Sequence, residues 1–195
     1  KDWYLQMEPE LVPRSAESCI GIELASFSGP ENNGAATSLS RKNTFYYPTK
    51  TRKNNIHSNI VAGGSHGISV SNASRNQITG NTISGCSNRG IITITTSDSN
   101  TIFGNKVLNS GSTGIHLAYN CNYNAIKNNI VNGVRGVEGD GIKSYINCNY
   151  NRISGNRVSG FSTTGIGVSH GANNNIINAN TVTGTDQPGQ TGIKI

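Results

Sequence analysis

The chain carries only ten carboxylates in 195 residues, so the places where acid–base chemistry is possible are few. Glu138 and Asp140 fall in one short segment and Asp186 in another of similar length. Lys143 follows Asp140 by three residues, and His116 lies upstream of both. Two carboxyl groups facing one glycosidic bond can act as acid and base, with their separation deciding the stereochemistry. An imidazole beside an ammonium loses proton affinity, which suits either group to take a proton. Arg135, Glu23 and Asp186 complete the set as substrate-binding candidates. The simpler alternative for each of these residues is a solvated surface side chain. The chemical reading holds only if the fold brings distant positions together.

A repeat supplies that condition. The anchor Asn-x-Ile-x-x-Asn-x-(Ile/Val) begins at Asn54, Asn76, Asn100, Asn124, Asn151 and Asn175, at intervals of 22, 24, 24, 27 and 24 residues. A second anchor, Gly-Ile, follows each copy at Gly67-Ile68, Gly90-Ile91, Gly114-Ile115, Gly141-Ile142, Gly165-Ile166 and Gly192-Ile193. After each glycine the side chains alternate in, out, in, as in Ile115-His116-Leu117, which is the period of a strand with one buried face. A period near 24 is too short for paired helices and fits one coil of three short strands. Coils stacked about 4.8 Å apart turn each Ile position into a buried column. The Asn column 59, 81, 105, 129, 156 and 180 becomes a ladder at a bend.

This stacking sets Glu23, Ser69, Ile92, His116, Lys143, Gly167 and Lys194 in one outward stripe, with His116 and Lys143 about 5 Å apart. The segments holding Glu138, Asp140 and Asp186 are both longer versions of the same connection. Their carboxylates are then expected roughly 10 Å apart, two coils from each other. Tyr123 should stack over Tyr150, and Cys121 over Cys148. For the tyrosines a sugar-binding platform and a self-stabilising pair both stay open, with the pair the simpler reading.

The anchors resemble the right-handed parallel β-helix repeats of the pectate-lyase-like superfamily over residues 54–195. That resemblance implies an all-β, right-handed, single-stranded parallel β-helix of about 24 residues per coil. It also implies membership among polysaccharide lyases, glycoside hydrolases, uronan epimerases, phage tailspike depolymerases and non-catalytic surface proteins. Gly64-Ser65-His66-Gly67-Ile68-Ser69 is similar to a polygalacturonase element, but the carboxylate motifs that accompany it in that family are absent. The Asp-Pro-His motif of alginate epimerases is absent as well, as is the calcium-binding glycine–aspartate repeat.

Composition agrees with this architecture. The 28 Asn, 24 Gly and 22 Ile disfavour helices, and no apolar run is long enough to span a bilayer. The net charge of +6 comes without a recognition helix, zinc spacing or aromatic RNA motif, which disfavours nucleic acid. An acidic polysaccharide is the better partner, and neither cofactor nor metal is expected. Residues 1–53 read as irregular N-terminal coils with a protruding basic loop, and residues 54–195 as regular coils continuing past the chain end. Between Ile22 and Ile68, 46 residues apart, one distorted coil is expected. The first residue is Lys and no signal peptide precedes it, so a processed or excised chain is expected. The function expected is cleavage of a glycosidic bond in an acidic polysaccharide, with Glu138 and Asp140 as acid and base and His116 or Lys143 assisting. The alternatives are a non-catalytic glycan-binding or structural spike and a NosD-like periplasmic protein. A homotrimer, with Ile92 at a subunit contact, and an extracellular, virion-surface or periplasmic location complete the expectation.

Overall fold

The computed structural model describes residues 51–185 and 187–195 in full, together with the backbone of Ile20–Ala25. These residues form a parallel β-solenoid. One sheet has seven strands, Ile20–Ala25, His66–Ser71, Arg89–Ile94, Thr113–Ala118, Asp140–Tyr145, Thr164–Ser169 and Thr191–Lys194, in chain order. Two further sheets have six three-residue strands each. The first runs from Asn55–His57 to Ile176–Asn178 and the second from Ile60–Ala62 to Thr181–Thr183. Thr51–Arg52 pairs with Ala73–Ser74 as a short fourth element. Among the described residues no helix is long and apolar enough to cross a membrane.

The register follows the repeat. Ile68, Ile91, Ile115, Ile142, Ile166 and Ile193 pair in sequence across the seven-stranded sheet. Ile56, Ile78, Ile102, Ile126, Ile153 and Ile177 do the same in the first six-stranded sheet. The central members of these columns are wholly buried, so the core is a set of continuous aliphatic stacks. In the seven-stranded sheet, Gly67, Gly90, Gly114, Gly141 and Gly165, each before a column Ile, are required by that packing. A Cβ on Gly114 would sit 2.6 Å from the carbonyl oxygen of Gly141 and collide with Val131.

Bends are set by residue type. Gly80, Gly104, Asn128 and Gly155 all have positive φ where the chain turns between the two six-stranded sheets, a conformation that Gly and Asn adopt at least cost. The next residue is the ladder Asn. Asn105 Oδ1 accepts from the backbone and side-chain nitrogens of Asn81, both at 2.9 Å. Its Nδ2 donates to Ile78 O at 2.8 Å and to Asn129 Oδ1 at 3.0 Å. The other Asn column, 76, 100, 124 and 151, bonds in the same way at the preceding bend. A bend that would strand buried backbone groups is thereby satisfied.

One sequence expectation changes. Ile20–Ala25 pairs directly with His66–Ser71, setting Ile22 opposite Ile68. No coil therefore stands between them on this sheet, and the extra chain length falls in 26–50. That segment, with the expected basic loop, lies outside the described residues. Cys86, Cys121 and Cys148 are buried free thiols, and the Cys121 N–H points at Cys148 Sγ at 3.3 Å.

Candidate functional site

The outer face of the seven-stranded sheet carries an open cleft of about 510 Å³, within the size range of small-ligand sites. Three outward columns build it. One, before the Gly-Ile anchor, runs His66, Arg89, Thr113 and Asp140 in register and gives His66 and Arg89 to the lining. The second, directly after the anchor Ile, supplies Ile92, His116 and Lys143. The third supplies Ile94, Ala118 and Tyr145. Glu138 enters from the loop before Asp140–Tyr145, and Tyr119 and His170 come from the turns at the other ends of the strands.

The outward position does not mean exposure here. His116 and Ile92 are each only 6% exposed. The stripe was expected to be solvated, but the long side chains of neighbouring coils lie over one another and close it off. Ile92, expected at a subunit contact, is instead part of the apolar lining of the cleft. Tyr145 spans the centre of the site. Its ring centroid is 4.4 Å from that of His170 and 6.1 Å from that of His116, and Lys143 Nζ lies 5.2 Å from the same ring.

The polar contacts are specific. Arg89 Nε donates to His116 Nδ1 at 2.8 Å, and Arg89 Nη1 lies 3.5 Å from His66 Nε2. Lys143 Nζ pairs with Asp140 Oδ2 at 2.8 Å. Burial, then the charges of Arg89, Lys143 and His66, pushes the His116 imidazole down to about 3, so it is neutral near pH 7. His66 is lowered by burial and by Arg89. Burial lowers Arg89 too, while Glu138 and Tyr119 favour its charged form, and an arginine remains cationic throughout. Among the described residues no three His, Cys, Asp or Glu side chains converge as a metal ion requires.

Of the residues singled out from sequence, His116, Lys143, Asp140 and Glu138 come together here. Arg135 is exposed and does not line the cleft. Glu23 stands at the register position of Ser69, and Asp186 lies outside the described residues. Tyr123 and Tyr150 stack at 5.1 Å with 5° between their planes, so each ring covers one face of the other. Both rings remain more than half exposed, at 62% and 52%. Sequence reasoning passed over Arg89, Tyr145 and His170. The signal was available: each is a bulky polar residue in an outward or turn column next to the one that was followed.

The chain matches the family described as "Right handed beta helix region" over residues 20–189. It belongs to that family, which also supplies the handedness of the coil. A search of curated proteins gives no significant match. Among solved structures, it is similar to a point mutant of the periplasmic alginate epimerase AlgG, with a TM-score of 0.60 and 18% identity over 74% of this chain. It covers 39% of that protein. A second AlgG point mutant aligns with 29% identity and a TM-score of 0.50, over 60% of this chain and 28% of the other. The unmutated enzyme gives a TM-score of 0.54 at 17% identity, over 74% of this chain and 42% of the other. The chain therefore spans well under half the length of these structures.

Proposed function

We propose that the protein acts on an acidic polysaccharide lying along the outer face of the seven-stranded sheet. The reaction is removal of the proton beside a sugar carboxylate, followed by elimination of the glycosidic oxygen. The observation that carries this reading is the charge arrangement: Arg89 and Lys143 lie on the coils either side of His116, while Asp140, the carboxylate nearest Lys143, is already bound to it at 2.8 Å. A proton next to a carboxylate becomes removable only when the charge growing on that group is neutralised, and fixed cations in a sheltered cleft do this. Hydrolysis would need two carboxyl groups free to face one bond, and Asp140 is engaged by Lys143.

In this scheme the C5–H bond breaks and a C4=C5 double bond forms. The C4–O4 bond breaks with it, and the leaving oxygen takes up a proton. Tyr145 and His170, with ring centroids 4.4 Å apart, are the groups placed to accept and return protons. Asp140 orients Lys143, and Glu138 tempers the field at Arg89. Returning the proton to the opposite face of C5 without breaking C4–O4 would be epimerisation, which uses the same first step. The likeness to a periplasmic alginate epimerase supports a carbohydrate partner and a location in the periplasm or outside the cell.

Incubation with a panel of uronans and their carboxyl-reduced counterparts tests this. The expected result is either the ultraviolet absorbance of an unsaturated uronate or exchange of H5 in D2O, with the acidic polymers alone. New reducing ends from a neutral polymer, without unsaturation, would instead favour hydrolysis and remove the elimination scheme.

A further inference from the structure

The contact between Arg89 and His116 permits one arrangement of protons. A guanidinium has donors and no acceptor, and its Nε–H points at His116 Nδ1 across 2.8 Å. Nδ1 therefore presents a lone pair, and the single proton of the neutral ring sits on Nε2. A proton on Nδ1 would set two donors against each other, and protonating both nitrogens would add a second cation beside the guanidinium. The same sense follows from burial and from the charges of Lys143 and His66, which also depress this imidazole.

Nε2 is buried and has no hydrogen-bond partner. Two other buried side-chain atoms among the described residues share that condition, the hydroxyls of Thr93 and Ser110. Of the three residues, only His116 lines the cleft. A hydroxyl can rotate toward a partner, whereas an imidazole N–H held by a bond at its other nitrogen cannot. A buried donor left unpaired is costly and calls for an explanation in a native structure.

We propose that Arg89 fixes His116 as a neutral imidazole carrying its proton on Nε2, and that the acceptor for this N–H is an oxygen of the bound acidic sugar, foremost its carboxylate. The inference rests on the acidic-polysaccharide reading and deepens it. His116 is then a hydrogen-bond donor and not the base, and Arg89, besides facing the carboxylate, positions the ring through its Nε–H. The charged and titratable groups around the ring accord with that role. Arg89 and His66 lie on one side, Lys143, Asp140 and Tyr145 on the other, and Glu138 comes from the loop. A carboxylate entering here meets Arg89, Lys143 and the Nε2–H together, while proton transfer to carbon falls to Tyr145 and His170.

Nitrogen-15 NMR of the imidazole rings in the full chain tests both halves. Without ligand, His116 should show the Nε2–H tautomer and no titration between about pH 5 and 8. Arg89→Ala should move the titration of His116 upward and mix the tautomers, whereas burial and Lys143 still hold it below the ordinary histidine range; a purely structural arginine would not change the tautomer. Adding oligogalacturonate or oligomannuronate should move the His116 Hε2 resonance downfield, and the carboxyl-reduced oligomers should leave it in place. An Nδ1–H tautomer, or ordinary titration of His116 in the native chain, overturns the inference. Binding of an acidic oligomer that leaves Hε2 unmoved overturns the donor role. If no acidic oligomer binds, the polysaccharide reading falls and the donor role with it. The tautomer assignment is then judged alone, from the ligand-free spectra.

Discussion

The bend between the two six-stranded sheets and the outer face of the seven-stranded sheet are built on the same coil spacing and use it in opposite ways. At the bend every coil repeats the same residue: Asn81, Asn105, Asn129, Asn156 and Asn180 bond head to tail. On the outer face the central column changes at every one of these coils, running Ser69, Ile92, His116, Lys143 and Gly167. Repetition at the bend serves backbone groups that recur identically in every coil. Variation on the face produces a local cleft, because only adjacent unlike residues can combine an imidazole, two cations and a phenol. In a solenoid, the columns that repeat hold the fold and the columns that change are where chemistry is to be sought.

Substitutions can break this contrast. The largest effect is expected at the ladder. Asn129→Ala removes the acceptor for Asn105 N at 2.8 Å and the donor to Ile102 O at 2.9 Å, leaving buried backbone groups unpaired. The expected loss is about 4 kcal/mol, read as a shift in the denaturation midpoint. A loss below about 1 kcal/mol would mean that the ladder does not carry the bend. On the face the expectation reverses. Arg89→Ala or Lys143→Ala should lower turnover of an acidic polysaccharide by about a hundredfold or more, while the unfolding midpoint moves much less than for the ladder variant. Loss of activity and stability in parallel would show that the face is structural as well.

Acidification sharpens the comparison further. His116 is held down to about 3 in the folded chain against an ordinary 6.5, so below pH 6.5 the unfolded state binds the extra proton. This contribution to stability is complete above pH 6.5 and is lost as pH falls toward about 3, by at most about 1.4 kcal/mol per pH unit. His116→Gln should flatten that part of the stability profile, and an unchanged slope would contradict the burial argument. The smallest effect is expected at the stacked tyrosines. Tyr123→Ala should cost about 1 kcal/mol of stability and leave polysaccharide turnover unaltered.

How far the sequence could be read follows the same division. The aliphatic columns, the glycines and the Asn ladder were legible because each repeats a physical requirement, and repetition is visible in a string. The pairing of His116 with Lys143 followed from register alone. What the string did not reveal was burial on the outer face. His116 and Ile92 carry the parity of exposed residues, yet Arg89, Tyr145 and Lys143 fold over that face and remove them from water. Side chains lying across neighbouring strands have no signature in a period of two. Asp140 and Lys143 were grouped from the string, but their direct ion pair was not, although only two residues separate them, because the glycine between them alters the alternation of faces.

Mapping the binding of an oligouronate by backbone and side-chain NMR on the full chain tests the central claim most directly. The account predicts that the perturbed resonances cluster on Arg89, His116, Lys143, Tyr145 and His170, with the outer faces of both six-stranded sheets silent. Perturbations centred on Lys106, Lys127, Arg152 and Arg157 of those sheets, with the cleft unmoved, would contradict it.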